Sequence, residues 1–324
     1  MTKTHKKYLL GIDIGATNVK AGIVSAKGEL LHQTSFPTNV RDGKDAVIHT
    51  ITEQVRHFCA HHGIHADELI AAGIGAPGPL DYKTGILYFA PNLPGWHNVQ
   101  LARIFTQKLK TDTFLENDAN CAAWGEHWTG AAVDAQSFVM YTLGTGIGGG
   151  IIIENRILHG RDGAAAELGH VIVVPDGEAC GCGSRGCLEA YASAPAIVRR
   201  YKSALRWEVG ISATILEQSI SAEEIVTKAT EGDIFCKKII EGTGKYLGRS
   251  IAGILNIFNP EMVIIGGGVS NAGPILFEPI KNEVNKLALE IARRKINITQ
   301  AKLGTFAGVI GAAGCALTRL EISA

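Results

Sequence analysis

Y-L-L-G-I-D-I-G-A-T-N-V-K-A-G-I-V, Tyr8–Val24, reads as strand, glycine turn, strand. Leu9, Leu10, Ile12 and Ile14 form the first arm, and Val19, Ala21, Ile23 and Val24 form the second. Gly28-Glu29 turns the chain into a third strand toward Phe36. The pattern returns at Ser137–Ile153, around L-G-T-G-I-G-G-G (Leu143–Gly150), with a polar turn at Glu154-Asn155. A third strand is then expected near His170–Val174. Two hairpin-led halves predict a duplicated α/β architecture. Identity between the halves is weak, so this repeat rests on pattern alone.

The segments between and after the hairpins fit that reading. Apolar residues recur at helical spacing over Asp45–His61, Val99–Leu109, Ala194–Leu205, Ala222–Glu231, Ile234–Phe258 and Pro279–Arg294, and Gly304–Leu320 reads as a small-residue helix. Leu69–Gly75 and Met262–Ile265 read as buried strands, and Thr113–Leu115 as a short strand ending at Glu116-Asn117-Asp118. The second hairpin places a boundary near Asp118. Residues 1–117 plus about 305–324 form a small N-terminal α/β domain on this reading, and 118–304 a large α/β domain carrying the loop 167–189.

Composition bounds the rest. The chain has 324 residues, formal net charge zero, 46 % hydrophobic and 19 % charged residues, enough to bury a large core and unlike a disordered chain. Zero net charge argues against a general nucleic-acid binder or a membrane-surface protein. Asp13 interrupts the start too early for a secretory signal, and no stretch reaches about 18 uninterrupted apolar residues, so no membrane span is expected. Seven cysteines without a disulfide framework point to a reducing cytoplasm.

H-V-I-V-V-P-D-G-E-A-C-G-C-G-S-R-G-C, His170–Cys187, gathers soft metal ligands. Cys180, Cys182, Cys187 and His170 make a Cys₃His set suited to tetrahedral zinc, and the glycines let a short loop wrap one ion. A mutual Cys180–Cys182 disulfide is sterically poor, and three thiols cannot all pair among themselves. With four protein ligands the ion is expected to be structural, with no open position for a catalytic water. Glu167 and Glu189 flank the loop. Cys59, Cys121, Cys236 and Cys315 carry no assigned role; buried thiols are the default.

Phosphate chemistry is expected at the glycine turns. Gly11–Lys20 puts Asp13 at a strand end and Gly15 in the turn, where bare N–H groups at Gly15 and Ala16 receive phosphate oxygens. Thr17 and Asn18 add side-chain donors, Lys20 adds charge, and Asp13 suits Mg²⁺, directly or through water. An ordinary β-hairpin with a turn glycine explains the same residues. Gly144, Thr145 and Gly146 form the second turn. That run lacks G-K-[ST] and is no P-loop. Its glycines also match G-x-G-x-x-G, but β-branched Ile151–Ile153 follows where a dinucleotide fold needs a helix. Gly266 and Gly267, in I-I-G-G-G-V-S, suit an adenine nucleoside lying flat on backbone.

D-I-G-A-T-N, L-G-T-G-I-G-G-G, E-L-G-H and C-G-C-G-S-R-G-C-L-E together resemble the motifs of the ROK family of sugar kinases and related repressors. The resemblance runs almost from end to end. It implies an actin-like, hexokinase-type (ribonuclease H-like) ATPase fold, with two domains hinged over a cleft and ATP and sugar between them.

E-N-D-A-N, Glu116–Asn120, supplies the base. A carboxylate at a strand end in a cleft can take a hydroxyl proton, and the family's aspartate here is its base, which assigns Asp118. The same aspartate before A-N-C-A-A-W also suits a helix cap. Asn117 offers an amide to a neighbouring hydroxyl. The family's matching positions assign Glu167, His170 and Glu189 to other hydroxyls, with one His170 nitrogen on zinc and its other N–H toward sugar. Gly78, in G-A-P-G-P, and Asn92, in A-P-N-L-P-G-W, line the sugar on this reading; such loops also merely turn a chain.

The function implied is an ATP-dependent hexokinase, most like a glucokinase making the 6-phosphate. N-acetylmannosamine and N-acetylglucosamine kinases are the alternatives, and polyphosphate is an alternative donor. A sugar-sensing regulator is disfavoured, because only about a dozen residues precede Asp13, fewer than a groove-reading module needs. The expected partners are a hexose and ATP, with a homo-oligomeric assembly, dimer or tetramer.

Overall fold

The computed structural model describes residues 6–208 and 220–323. Strands β1 (Tyr8–Ile14), β2 (Asn18–Ser25) and β3 (Leu30–Pro37) form an antiparallel meander. Helix α1 (Lys44–His61) leads to β4 (Leu69–Ala76), which pairs parallel with β1. A small antiparallel sheet follows, of β5 (Leu80–Asp81), β6 (Ile86–Phe89) and β7 (His97–Val99). Helix α2 (Leu101–Leu109) then feeds β8 (Thr113–Asn117), parallel to β4. The first sheet therefore has the order β3-β2-β1-β4-β8.

The second half repeats it. After α3 (Asp118–Trp128), strands β9 (Phe138–Leu143), β10 (Ile147–Ile153) and β11 (Arg156–Ile157) form a second meander. Helices α4 (Glu189–Ala192), α5 (Ala194–Glu208), α6 (Ala222–Thr230) and α7 (Ile234–Phe258) precede β12 (Met262–Gly266), parallel to β9. Helices α8 (Pro274–Leu287) and α9 (Glu290–Arg293) precede β13 (Asn297–Gln300), and α10 (Ala307–Ser323) ends the chain. The order β11-β10-β9-β12-β13 matches the first sheet strand for strand, the first strand of each meander being flanked by two successive parallel strands.

Between the sheets lie α3 and α10, packed on each other, α10 against β1 and β4 and α3 against β10. Small residues permit this. A Cβ at Gly11 would lie 2.0 Å from the Val309 carbonyl oxygen, and one at Gly73 1.8 Å from that of Ala312, so α10 rests directly on strand backbone. Gly304–Ile322 is long and apolar enough to cross a membrane by composition, yet this packing makes it a core helix. The outer face of the first sheet is covered by α1 and α2 through Val47, Ile51, Leu101 and Phe105. That of the second is covered by α6, α7 and α8 through Ile225, Ile240, Leu247 and Leu276.

Three expectations need correction. The third strand of the second meander is β11, at Arg156–Ile157, and His170–Val174 is not a strand. There the backbone bonds the cysteine loop instead, with Val173 N–H donating to Gly186 and Leu188 N–H to Val171. The helix expected at Pro279–Arg294 starts at Pro274 and breaks after Leu287. Pro279 lies inside it, where it removes the bond its N–H would give the Ile275 carbonyl. Val99 ends a strand, so α2 begins at Leu101.

Candidate active site

Register brings the first group of residues together. Asp13 pairs across to Lys20 on β2 and Gly75 on β4, and Gly75 pairs to Glu116 on β8. Asp13, Gly75 and Glu116 lie in one row near the ends of their parallel strands, where α/β sheets bind ligands. The β1–β2 turn is closed by Gly15 N–H on the Asn18 carbonyl at 3.1 Å, and the buried Thr38 hydroxyl donates to the Gly15 carbonyl at 2.6 Å. Thr17 and Asn18 remain exposed. The equivalent β9–β10 turn is closed by Gly144 N–H on the Gly146 carbonyl at 3.0 Å, leaving Gly144 and Thr145 exposed. Gly267, at φ 88°, packs where a Cβ would lie 2.1 Å from the Leu143 carbonyl oxygen, so the third glycine run borders this second turn.

The glycines of L-G-T-G-I-G-G-G divide their work. Gly144 and Gly146 lie in the turn, but Gly148 and Gly150 are in β10 because α3 presses on it. A Cβ at Gly150 would lie 2.5 Å from the Ala123 methyl, and one at Gly148 2.9 Å from that of Ala119. The start of α3 is thereby fixed to the second sheet while following directly from the first.

Asp118 is the first residue of α3. The cap itself is Asn117, whose Oδ1 accepts from Ala119 N–H at 2.9 Å and Asn120 N–H at 3.2 Å. Asp118 Oδ1 accepts from Ala119 N–H at 2.9 Å. Burial raises the Asp118 pKa and the charge of Glu167 raises it further, against the lowering by backbone N–H groups. Burial, then Asp118, push Asp13 up to about 6, opposed by Lys20. Three acidic groups, Asp13, Asp118 and Glu167, thus share one field, a site built for cations and for proton transfer. The Lys20 ammonium donates to the Thr305 carbonyl at 2.9 Å, tying β2 to the approach to α10.

His170, Cys180, Cys182 and Cys187 converge. Their ligand atoms all lie within 4.8 Å of one another, with His170 Nδ1 to Cys180 Sγ at 3.7 Å and Cys182 Sγ to Cys187 Sγ at 3.7 Å. Zn–S bonds of about 2.3 Å separate tetrahedral ligands by about 3.8 Å, so the set fits zinc. Cys180 N–H donates to the Ser184 carbonyl and Gly183 N–H to the Cys180 carbonyl, with Gly183 at φ 91°. His170 Nε2, the nitrogen away from the thiols, lies 4.0 Å from Glu167 Oε2. Glu189 opens α4, and its Oε2 accepts from Ile147 N–H at 2.9 Å, so the cysteine loop is joined to the second glycine turn.

Gly78, at φ 98°, turns where a Cβ would lie 2.4 Å from the Phe89 carbonyl oxygen, a structural need independent of any sugar, and Asn92 is exposed. Sequence reasoning missed His159, whose Nε2 lies 2.7 Å from Glu116 Oε2. It also missed Glu126, fully buried and accepting from the N–H groups of Ala131, Lys302 and Leu303. Neither belongs to a local motif; each pairs with chain far away in sequence.

A family model described as the ROK family matches residues 9–319. The glucokinase of Thermotoga maritima is 40 % identical over 97 % of this chain and 99 % of its own. A crystal structure of a ROK family glucokinase from Streptomyces griseus, in complex with glucose and AMPPNP, superposes with a TM-score of 0.82 at 35 % identity, covering 96 % of this chain and 99 % of that one. The xylose repressor of Caldicellulosiruptor bescii is 29 % identical over 94 % of this chain and 76 % of its own.

Proposed function

The chain belongs to the ROK family, and on that premise we propose that it transfers the γ-phosphoryl group of ATP to the 6-hydroxyl of glucose. The observation that carries this is the placement of Asp118 at the start of α3, where a Cβ on Gly75 would lie 3.5 Å from its Cα and Gly75 pairs with Asp13; the charges of Asp13 and Glu167 act in the same field. One carboxylate borders both a phosphate-binding turn and a hydroxyl-binding loop.

Asp118 accepts the 6-hydroxyl proton as O6 bonds to the γ-phosphorus and the bond to the bridging β–γ oxygen breaks; ADP leaves and the proton passes to solvent. Its raised pKa suits a base better than an ordinary aspartate would. The Gly15 and Gly144 N–H groups are used in closing their turns, so the other backbone N–H groups of the two turns, with Thr17, Asn18 and Thr145, hold the phosphates, and Gly266 and Gly267 carry the adenine nucleoside. Asp13 would hold Mg²⁺, which would supply positive charge against the phosphates. Lys20, bound to Thr305, acts by charge rather than direct contact. Glu167, His170 Nε2, Glu189 and the Asn117 amide N–H receive sugar hydroxyls, with Gly78 and Asn92 at the rim. His170, Cys180, Cys182 and Cys187 would hold a zinc ion that stiffens the loop presenting them. Residues 1–117 with 305–324, and 118–304, are the two bodies that close over the substrates.

The test is coupled ADP release across a panel of hexoses, including the N-acetyl sugars. Glucose gives the highest kcat/KM, and Asp118→Asn lowers kcat by about 10²–10⁴. Equal turnover by that variant overturns the base assignment, and a preference for an N-acetyl sugar overturns the substrate.

A further inference from the structure

His159 follows β11 and crosses to the first sheet. Its Nε2 meets Glu116 Oε2 at 2.7 Å, with the two side chains 17 % and 4 % exposed. The other Glu116 oxygen accepts from Asn117 N–H at 3.0 Å and Asn120 Nδ2 at 3.1 Å. Three donors hold the buried Glu116 ionised: its pKa is lowered despite burial, which opposes it, by the His159 bond and charge and then by Asn117 and Asn120. Tyr82 stacks flat on the His159 ring, centroids 3.6 Å apart at 9°, and the Arg319 guanidinium covers the Tyr82 ring 4.4 Å from its centroid. So small sheet and C-terminal helix together lock the imidazole's orientation.

The residues bound by Glu116 set the start of α3. Asn117 caps it, Asn120 lies in its first turn, and Asp118 stands between them. On its other side His159 opens the segment that ends at Glu167. Its carbonyl accepts from Ala165 N–H at 3.2 Å, and Gly160, Gly163 and Ala166 take φ of 69°, 75° and 65°, folding the segment into a closed loop. A Cβ at Gly163 would lie 2.7 Å from the Leu80 carbonyl oxygen, so this loop is seated against β5. One hydrogen bond therefore joins the strand end that carries the base to the loop that carries a hydroxyl-binding carboxylate.

We propose that His159 is a positioning residue, fixing Asp118 and Glu167 relative to each other through Glu116 so that the bound hydroxyl meets its base in attack geometry. This rests on the kinase reading above. A near-attack geometry is sensitive to shifts of about 1 Å.

The experiment compares His159→Phe, which keeps the ring on Tyr82 but loses the donor, with His159→Gln, which keeps a donor, and with Glu116→Gln. Steady-state kinetics with glucose and ATP are read beside melting temperature. His159→Phe is expected to lower kcat roughly 10- to 100-fold, the range for a lost hydrogen bond to a charged group, and to raise KM for glucose while leaving KM for ATP unchanged. His159→Gln recovers most of kcat. Combining His159→Phe with Glu116→Gln costs no more than the worse single change, since both remove one contact. A folded His159→Phe with wild-type kcat and glucose KM, equal losses in the Phe and Gln variants, or additive losses in the double variant overturns the proposal. If His159→Phe does not fold, Glu116→Gln takes its place: a folded Glu116→Gln with wild-type kcat and glucose KM overturns the proposal. A wild-type chain inactive on every hexose removes the kinase reading, and this inference with it.

Discussion

Asp118 shows how one residue carries two competing meanings until its neighbours are known. A-N-C-A-A-W after it suits a capping aspartate and a catalytic one equally. In the structure Asn117 takes the cap with its Oδ1, and Asp118 is left at the first helical position with one oxygen on Ala119 N–H. The cap also spends half of the Asn117 amide, so only its N–H₂ remains for a ligand. Asp13 makes a second residue-level point. Its pKa of about 6 means the folded protein binds that proton more tightly than the unfolded chain. Stability is therefore lost as pH rises from about 4 through about 6 and stays lost above, by at most about 3 kcal/mol, less for the solvent access the carboxylate retains. Asp13→Asn is expected to raise the denaturation midpoint at pH 7.5 in magnesium-free buffer, to leave it unchanged near pH 3.5, and to abolish turnover. A variant less stable than wild type at pH 7.5 contradicts the burial account.

Among the elements, the cysteine loop was the most legible. Ligand type and spacing alone predicted convergence of His170, Cys180, Cys182 and Cys187, because glycines at 181, 183 and 186 leave a short loop few other ways to satisfy four soft ligands. Its neighbour was misread: Val171, Ile172, Val173 and Val174 are β-branched and look like a strand. Loop closure overrode that propensity, leaving only an isolated bridge from Ile172 to Cys187. Replacing Cys182 by Ser is expected to drop bound zinc from one per chain to near zero by elemental analysis. The loop carrying Glu189 is then less firmly held, and KM for glucose is expected to rise by at least roughly tenfold. Full zinc content with normal KM would dispose of the site. The glycine runs had a hidden second use. Gly148 and Gly150, like Gly11 and Gly73, exist for helices lying on strand backbone, and no local pattern separates that from phosphate binding.

At the scale of the molecule, two sheets of one topology face each other across α3 and α10. The chain returns from the second sheet to the first through residues 301–306, and Glu126 on α3 holds that crossing. Its two oxygens accept from Lys302 and Leu303 at 2.8–3.1 Å and from Ala131 at 2.7 Å. Glu126→Ala strands these N–H groups, at a cost of roughly 3 kcal/mol or more. Urea denaturation followed by tryptophan fluorescence should show a lowered midpoint, with Glu126→Gln intermediate because it keeps one acceptor oxygen. An unchanged midpoint in the alanine variant would show that the crossing needs no pin.

Repeated hairpins, strand-end acids and a spaced set of thiols were written in the chain, because each depends on residues within about twenty positions of one another. Pairings at long range were not. His159 with Glu116, Glu126 with Lys302 and Leu303, and α10 on Gly11 and Gly73 arise only when the two halves are packed, since a buried charge or a bare backbone surface finds whatever partner the fold brings to it.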